Sequence, residues 1–411
     1  MTTFDTVIIG AGAAGIAAAR HLMASSQKLL LLEARHRPGG RAVTDASLGV
    51  PADLGAAWLH FAEENAWTHL ASDLGFHVIR REPGWGRDTG IGGHLPSDAD
   101  RDANSAHFQR YFELVESSAA TGKDCALCDI LPRDDFRARF DATMTWAVGA
   151  ESSRISLQDL SRYADSHHNW AVSEGLGAVV AKSASGLPIR YGEVVSRIDW
   201  SGKRVRITSQ SGELEASAVI VTVPPSVLAA GAIRFAPELP AAYLEAFHGL
   251  PLGVVNKVFF QLANPAIAAD VCRHFIGRNT TSRTCSYQLY PADQPLLSAY
   301  FGGDLSQELE QRGELEQFAR DELRSVLGPD FVNGLGRTLT TAWGTDPWAQ
   351  GSYSVALPGK AHSRETLQKP LAPQLWFAGE ACSVQHYGTL HGAWLSGVAA
   401  AEQLARASLT T

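Results

Sequence analysis

Long apolar runs are missing from this sequence. No stretch of its 411 residues reaches the roughly eighteen consecutive apolar positions that a membrane-spanning helix needs, so no bilayer anchor is expected. The first strand is expected to begin near Asp5, which leaves no room for a signal peptide, and a cytoplasmic chain is the resulting expectation. Runs of one charge are missing too. The 35 Lys and Arg are scattered against 43 Asp and Glu, for a net charge of −8, with no basic stripe of the kind that grips nucleic acid. Cysteine is sparse and odd in number: Cys125, Cys128, Cys272, Cys285 and Cys382 suit reduced thiols better than a disulfide framework. Cys125 and Cys128 have the spacing of a zinc-ligand pair, but no second pair accompanies them, so they read as incidental and no metal is expected. Internal repeats and low-complexity tracts are absent. The length exceeds what one simple core serves, so two domains are expected.

What is present is concentrated first at the N-terminus. "FDTVIIGAGAAGIAAARHLM" is a β-branched strand that runs into Gly10-x-Gly12-x-x-Gly15 and then an Ala-rich helix. Three glycines so spaced allow a tight turn, close backbone approach to a pyrophosphate, and close packing of helix on strand. A second strand, "KLLLLE", ends in Glu33, twenty-three residues after Gly10, where an acid hydrogen-bonds ribose hydroxyls of a dinucleotide.

Just beyond that strand lie Gly39, Gly40 and Arg41, a second glycine turn that an NAD half-site does not generally need and a deeply threaded flavin dinucleotide does. This stretch resembles the flavin amine oxidase family, of the polyamine and monoamine oxidase kind. The resemblance recurs in "DLGAAWLH" (53–60), "PLGVVNKVFF" (251–260), "AWGTDPWAQGSYS" (342–354) and "GEACSVQHYGTLHGAWLSG" (379–397). It implies an α/β fold: a doubly wound FAD-binding domain assembled from discontinuous segments, here about 1–75, 166–225 and 336–411. An α+β substrate-binding domain, about 76–165 and 226–335, is inserted between them. Within it "NSAHFQRYFELV" puts Phe108, Tyr111, Phe112 and Val115 on one helical face.

The same resemblance assigns residues. Gly10, Gly12, Gly15, Glu33, Gly39, Gly40, Arg41, Trp58, Val195, Trp343, Gly379 and Glu380 would line a non-covalently bound FAD, since Ser352 stands where monoamine oxidases carry a flavin-bonded cysteine. A helix beginning near Thr389 would point its N-terminus at the flavin pyrimidine edge, where its dipole and free N–H groups favour the negative charge of the reduced ring. Lys257 interrupts an apolar strand; by alternation alone it is an edge-strand lysine reaching for water, and by resemblance it holds a water near flavin N5. Tyr353 would be an aromatic wall of the amine pocket and Thr389 the facing position, where threonine rather than a second aromatic points away from small aromatic monoamines. His60 would lie near the substrate channel, and Glu63 and Glu64 could attract a distant ammonium.

The implied reaction is FAD-dependent oxidation of a polyamine or related amine by hydride transfer to N5, giving an imine and then an aldehyde, with O₂ returned as hydrogen peroxide. Two alternatives stay open. One is an L-amino-acid oxidase using Arg234 or Arg283 as carboxylate clamp, and the other is a flavin-bearing interaction protein without turnover. Oligomeric state is not legible.

Overall fold

The computed structural model describes residues 2–24 and 27–409. Its largest sheet has eight strands. Seven lie in the order Arg234–Ala236, Val195–Asp199, Val205–Ser209, Gly212–Val221, Thr2–Ile9, Leu29–Glu33 and Ile189–Tyr191, and Leu375–Phe377 pairs with Gly212–Val221. The pairings of Thr2–Ile9 with Leu29–Glu33 and with Gly212–Val221 are parallel, as is that of Gly212–Val221 with Leu375–Phe377. Parallel strands need cover on both faces, and "LLLLE" accordingly is buried throughout. One face packs under the helices Ala13–Leu22 and Leu390–Leu409; the other carries Phe4, Val7, Ile9 and Val219 against Tyr243, Phe247 and Leu250. Strand Arg234–Ala236 pairs in parallel with Val195–Asp199, and the apolar side of helix Ala241–Gly249 closes the same core. The cofactor-side sheet therefore continues past residue 225, the edge expected from the sequence, because the segment after it buries its apolar face there.

A second sheet of six strands runs Leu335–Thr340, Val255–Leu262, Leu296–Gly302, Ser286–Leu289, His274–Ile276 and Gly90–Ile91. Its back face, including Val258, Phe260, Phe275, Tyr287, Leu297 and Phe301, packs with Leu315, Ala319 and Leu323 of helix Leu315–Leu327. Leu335–Thr340 belongs wholly to this sheet, so the boundary expected at 336 moves to its far end. The amphipathic segment around Phe108 lies in helix Asp98–Ala119, where Tyr111 and Val115 are buried. Phe112 is 40% exposed and faces the large cavity rather than the core.

The contact between the terminal helix and the fingerprint helix explains one glycine. A Cβ on Gly397 would lie 2.2 Å from the carbonyl oxygen of Ala14, so the terminal helix rests directly on the backbone of the fingerprint helix. Gly397→Ala is expected to force the two apart and to destabilise the fold by about 1–3 kcal/mol, the usual cost of overpacking. Thermal denaturation checks this; an unchanged Tm would show that the helices can separate freely.

Candidate active site

The carboxyl ends of three parallel strands open into a cavity of about 1540 Å³, where a doubly wound sheet places its ligand. Ile9, Gly10, Leu32, Glu33, Thr222 and Val223 line this end. Gly10 has φ of 104°, and a Cβ there would sit 2.5 Å from Thr222 Oγ1, so only glycine makes the turn. A Cβ on Gly15 would come within 2.0 Å of the Gly10 carbonyl oxygen; this glycine serves helix packing and does not itself line the cavity. The second turn is joined to the first, since Gly39 N–H donates to Ala11 O at 2.8 Å. Two bare glycine backbones thus face one space, a cradle suited to a pyrophosphate. Glu33 is buried; its Oε2 accepts from Ala11 N–H at 2.7 Å and its Oε1 from Arg35 N–H at 2.9 Å. A carboxylate has lone pairs beyond those two contacts, and the residue lines the cavity, so it remains able to receive ribose hydroxyls.

Glu380 is buried and receives four hydrogen bonds: from Arg41 Nη1 at 2.9 Å, Ser354 N at 3.1 Å, Ser354 Oγ at 2.7 Å and Gly388 N at 2.8 Å. Burial alone would raise its pKa, but Arg41, Arg364 and the hydrogen bonds more than offset that and hold it below the usual carboxylate range. Behind it Arg364 is fully buried, pairs bidentately with Asp159 and lies 3.8 Å over the Tyr387 ring. Ser352 uses its hydroxyl to bridge Val255 N and O at 2.9 and 2.8 Å, a structural stitch between strands.

Thr389 caps the terminal helix. Its Oγ1 accepts from Gly392 N–H at 2.9 Å and donates to His386 O at 2.7 Å, while other first-turn N–H groups lack intrahelical acceptors by geometry. Thr389 and Gly379 both line the cavity, so the positive end of the helix faces it.

Lys257 is not on an edge. Its strand lies between Leu335–Thr340 and Leu296–Gly302, and the residue is only 8% exposed, so reaching for bulk water is ruled out as its role. Val255, Lys257 and Phe259 share the cavity face, as alternation requires. The ammonium donates to the carbonyls of Asp53 and Gly55 at 2.8 and 2.6 Å, which leaves one of its three donors. Burial lowers its pKa to about 8, with Asp53 pulling the other way. Asp53 is buried as well and receives Thr44 Oγ1 at 2.6 Å, Leu176 N at 2.8 Å and Gly177 N at 3.0 Å, which caps helix Leu176–Ser183. Tyr300, paired across the sheet from Lys257, has its ring 5.7 Å from the ammonium and its hydroxyl 3.2 Å from that of Tyr353. Tyr353 in turn donates to Trp146 O. Neither Asp53 nor Tyr300 was singled out from sequence. Asp53 opens the quoted "DLGAAWLH", whereas nothing local marks Tyr300.

The remaining expected residues divide. Trp58 stacks edge-on with Trp85 at 4.9 Å, Trp343 donates to Leu54 O at 3.0 Å, and both line the cavity, as does Val195. His60 also lines it; Nδ1 lies 2.6 Å from Asn169 Oδ1, and burial lowers its pKa, which favours the neutral ring. Glu63 and Glu64 do not reach the cavity; the exposed acids that line it are Glu82, Asp88, Glu116 and Asp165, of which Asp88 pairs with Arg101 while Glu82 and Asp165 have side chains 49% and 48% exposed. Arg234 lies exposed on the sheet edge and Arg283 pairs with Glu308 at 2.6 Å, so neither can clamp a substrate carboxylate. Among the described residues no cluster suited to a metal occurs and no helix is long and apolar enough to cross a membrane.

Comparison with known proteins agrees with this geometry. A sequence model of the family described as flavin containing amine oxidoreductase matches residues 13–118 and 99–405. Polyamine oxidase 3 of Oryza sativa subsp. japonica is 33% identical over 443 residues, which covers 98% of this chain and 89% of that protein. Polyamine oxidase 4 of the same source is 30% identical over 437 residues, covering 97% and 88%. Wild-type putrescine oxidase bound to putrescine has a similar structure, with a TM-score of 0.81 at 19% identity over 98% of this chain and 99% of that one, a likeness of fold.

Replacing Glu33 by Ala is expected to weaken FAD retention through lost charge-assisted hydrogen bonds, each worth about 1.5–3 kcal/mol, and through release of the Ala11 and Arg35 backbone. Flavin titration of the apoprotein reads this directly. Equal affinity in variant and wild type would remove Glu33 from the cofactor site.

Proposed function

This chain belongs to the flavin containing amine oxidoreductase family, and we propose that within it the chain oxidises linear amines of the polyamine kind. The observation that carries the reading is one continuous cavity, running from the paired glycine turns and Glu33 to Lys257, Tyr300, Tyr353 and Thr389. The polyamine oxidases at 30% and 33% identity support the substrate class.

FAD, held by the glycine turns, Glu33, Arg41 and the Gly379–Glu380 segment, would supply the hydride acceptor at N5 and return the electrons to O₂ as hydrogen peroxide. The protein does the rest by placement. Tyr353, its hydroxyl tied to Trp146 O and Tyr300, presents a held aromatic face against which an amine packs. Thr389 spends its hydroxyl on the helix cap and leaves that side of the pocket open to an extended chain. The exposed acids Glu82 and Asp165 draw in cations, while the buried interior favours the neutral amine that can release a hydride. The product imine leaves to hydrolyse to an aldehyde and an amine. Lys257, held by two carbonyls, keeps one donor for a water and puts a cation beside the reacting atoms. The helix capped by Thr389 adds favourable potential for negative charge.

Spermine and spermidine are expected to be oxidised with higher kcat/KM than benzylamine in a peroxide-release assay, and a preference for benzylamine would sink the reading. Lys257 generates a second expectation. Its pKa is lowered to about 8, so its charge is present below that pH and lost as the pH rises through it. Reoxidation by O₂ should therefore slow above about pH 8 in the wild type. In Lys257→Met it should be slower by roughly 10²–10³-fold and flat with pH, as for loss of one preorganised electrostatic donor. Stopped-flow recovery of the oxidised flavin spectrum measures both, and rates within about twofold of wild type, well under one tenfold step, would assign Lys257 a structural role only.

A further inference from the structure

The cavity holds one cation that the chemistry above does not use. Arg139, on helix Arg137–Val148, is half-buried and lines the cavity, yet among the described residues no carboxylate pairs with its guanidinium. The other cavity-lining arginines are neutralised: Arg35 by Asp346 at 2.6 Å and Arg41 by Glu380 at 2.9 Å. Burial lowers the pKa of Arg139 with no carboxylate to offset it. Its neighbour His274 offers no anion either. That ring is hydrogen-bonded on both sides, to Thr89 Oγ1 at 3.1 Å and Ser286 Oγ at 2.9 Å, and burial together with the Arg139 charge pushes its pKa down to about 4. Three further polar atoms on the cavity wall are buried without partners: Glu193 Oε2, at the cofactor end beside Glu33, the Oδ1 of Asn104, an acceptor that an anion does not satisfy, and the indole Nε1 of Trp146, a donor on the same helix as Arg139. Phe108, one turn after Asn104 on its helix, has its ring 5.4 Å from that of Phe140, the residue next to Arg139. Unsatisfied polar groups that face a cavity are those a ligand completes.

Helix geometry sets the distance. Arg139 and Trp146 are two turns apart on one face, about 10 Å along the axis, and the Trp146 carbonyl receives the Tyr353 hydroxyl. The backbone that carries the guanidinium is therefore set about two helical turns from the contact of Trp146 with the aromatic wall. An α-amino acid, whose carboxylate adjoins the reacting carbon, does not span that gap. Beside Arg139 a second ammonium would meet like charge, so a polyamine would keep its distal charge by the cavity's exposed acids, whereas a carboxylate matches the planar fork.

We propose that the end of the cavity at Arg139 binds a carboxylate, so that linear amines bearing an acid at the end remote from the reacting carbon are substrates. This rests on the amine-oxidation reading and adds to its polyamines a second class of linear amine, set apart by the group at the remote end.

The test compares ω-amino carboxylates, from γ-aminobutyrate to ω-aminoundecanoate, with α,ω-diamines of matched methylene count, in wild type, Arg139→Met and Arg139→Lys. Arg139→Met should lower kcat/KM for the best amino carboxylate by about 10–100-fold, mainly through KM, the range expected for a lost charge-assisted contact. The matched diamine should stay within about twofold or improve, and Arg139→Lys should recover part of the loss. Equal loss for both substrates, no loss for either, or a wild type that oxidises diamines and none of the amino carboxylates overturns the proposal. Caprylate provides a second arm that needs no turnover. It should perturb the bound flavin spectrum of the wild type, be displaced by the amino carboxylate, and bind Arg139→Met more weakly; binding unaffected by Arg139→Met, or no binding, also overturns it. Failure of every amine to be oxidised would instead count against the amine-oxidation reading, and the caprylate arm would still read Arg139.

Discussion

Near the end of the chain, a buried carboxylate gathers the candidate site. Glu380 accepts from Arg41, from the backbone and side chain of Ser354, and from Gly388 N–H, and so joins the second glycine turn, the strand carrying Tyr353 and the approach to the terminal helix. Burying an unpaired charge costs several kcal/mol, which is why every donor around it is placed and why Arg364 and Asp159 stand as a second, fully buried pair behind it. Each segment that touches Glu380 also lines the cavity, through Arg41, Tyr353, Gly379 and Gly388. Satisfying one carboxylate thereby aligns the backbone proposed to receive FAD with the aromatic wall proposed to receive the amine.

Lys257 shows the same logic in the opposite sign. Its ammonium is retained in a buried place because two carbonyls, of Asp53 and Gly55, receive it, and Asp53 is itself held by the N-terminus of helix Leu176–Ser183. The lysine therefore reports on an element far from it in sequence, and its lowered pKa places its change of charge in an accessible pH range. Around it the second sheet divides its faces cleanly. Phe260, Phe275 and Phe301 fill the core behind, while Lys257, Tyr300 and His274 face the cavity. A cavity wall and a stable core are thus supplied by alternate residues of the same strands.

Much of the cofactor half was legible in advance because its chemistry is local. The turn at Gly10, the acid at the end of "LLLLE" and the cap at Thr389 are each specified within a few residues, and each lines the cavity as expected. Lys257 was legible only through the resemblance: from its own strand it reads as an edge lysine reaching for water, and the two strands that enclose it come from elsewhere in the chain. Other expectations depended on packing and moved. The segment 226–250 joined the first sheet through the pairing of Arg234–Ala236, and Glu63 and Glu64 fell outside the cavity while the exposed acids Glu82 and Asp165 line it.

By itself the sequence determined the dinucleotide fingerprint, the alternation that puts Lys257 on one strand face with Val255 and Phe259, and the glycines without which two turns and one helix crossing have no room. Only the tertiary structure decided that Asp53 neighbours Lys257, that Tyr300 touches Tyr353, and that among the described residues no carboxylate pairs with the Arg139 guanidinium. The physical reason is range. Backbone conformation and periodicity act over a handful of residues, whereas whether a buried charge is paired depends on which distant segments the packed core brings beside it.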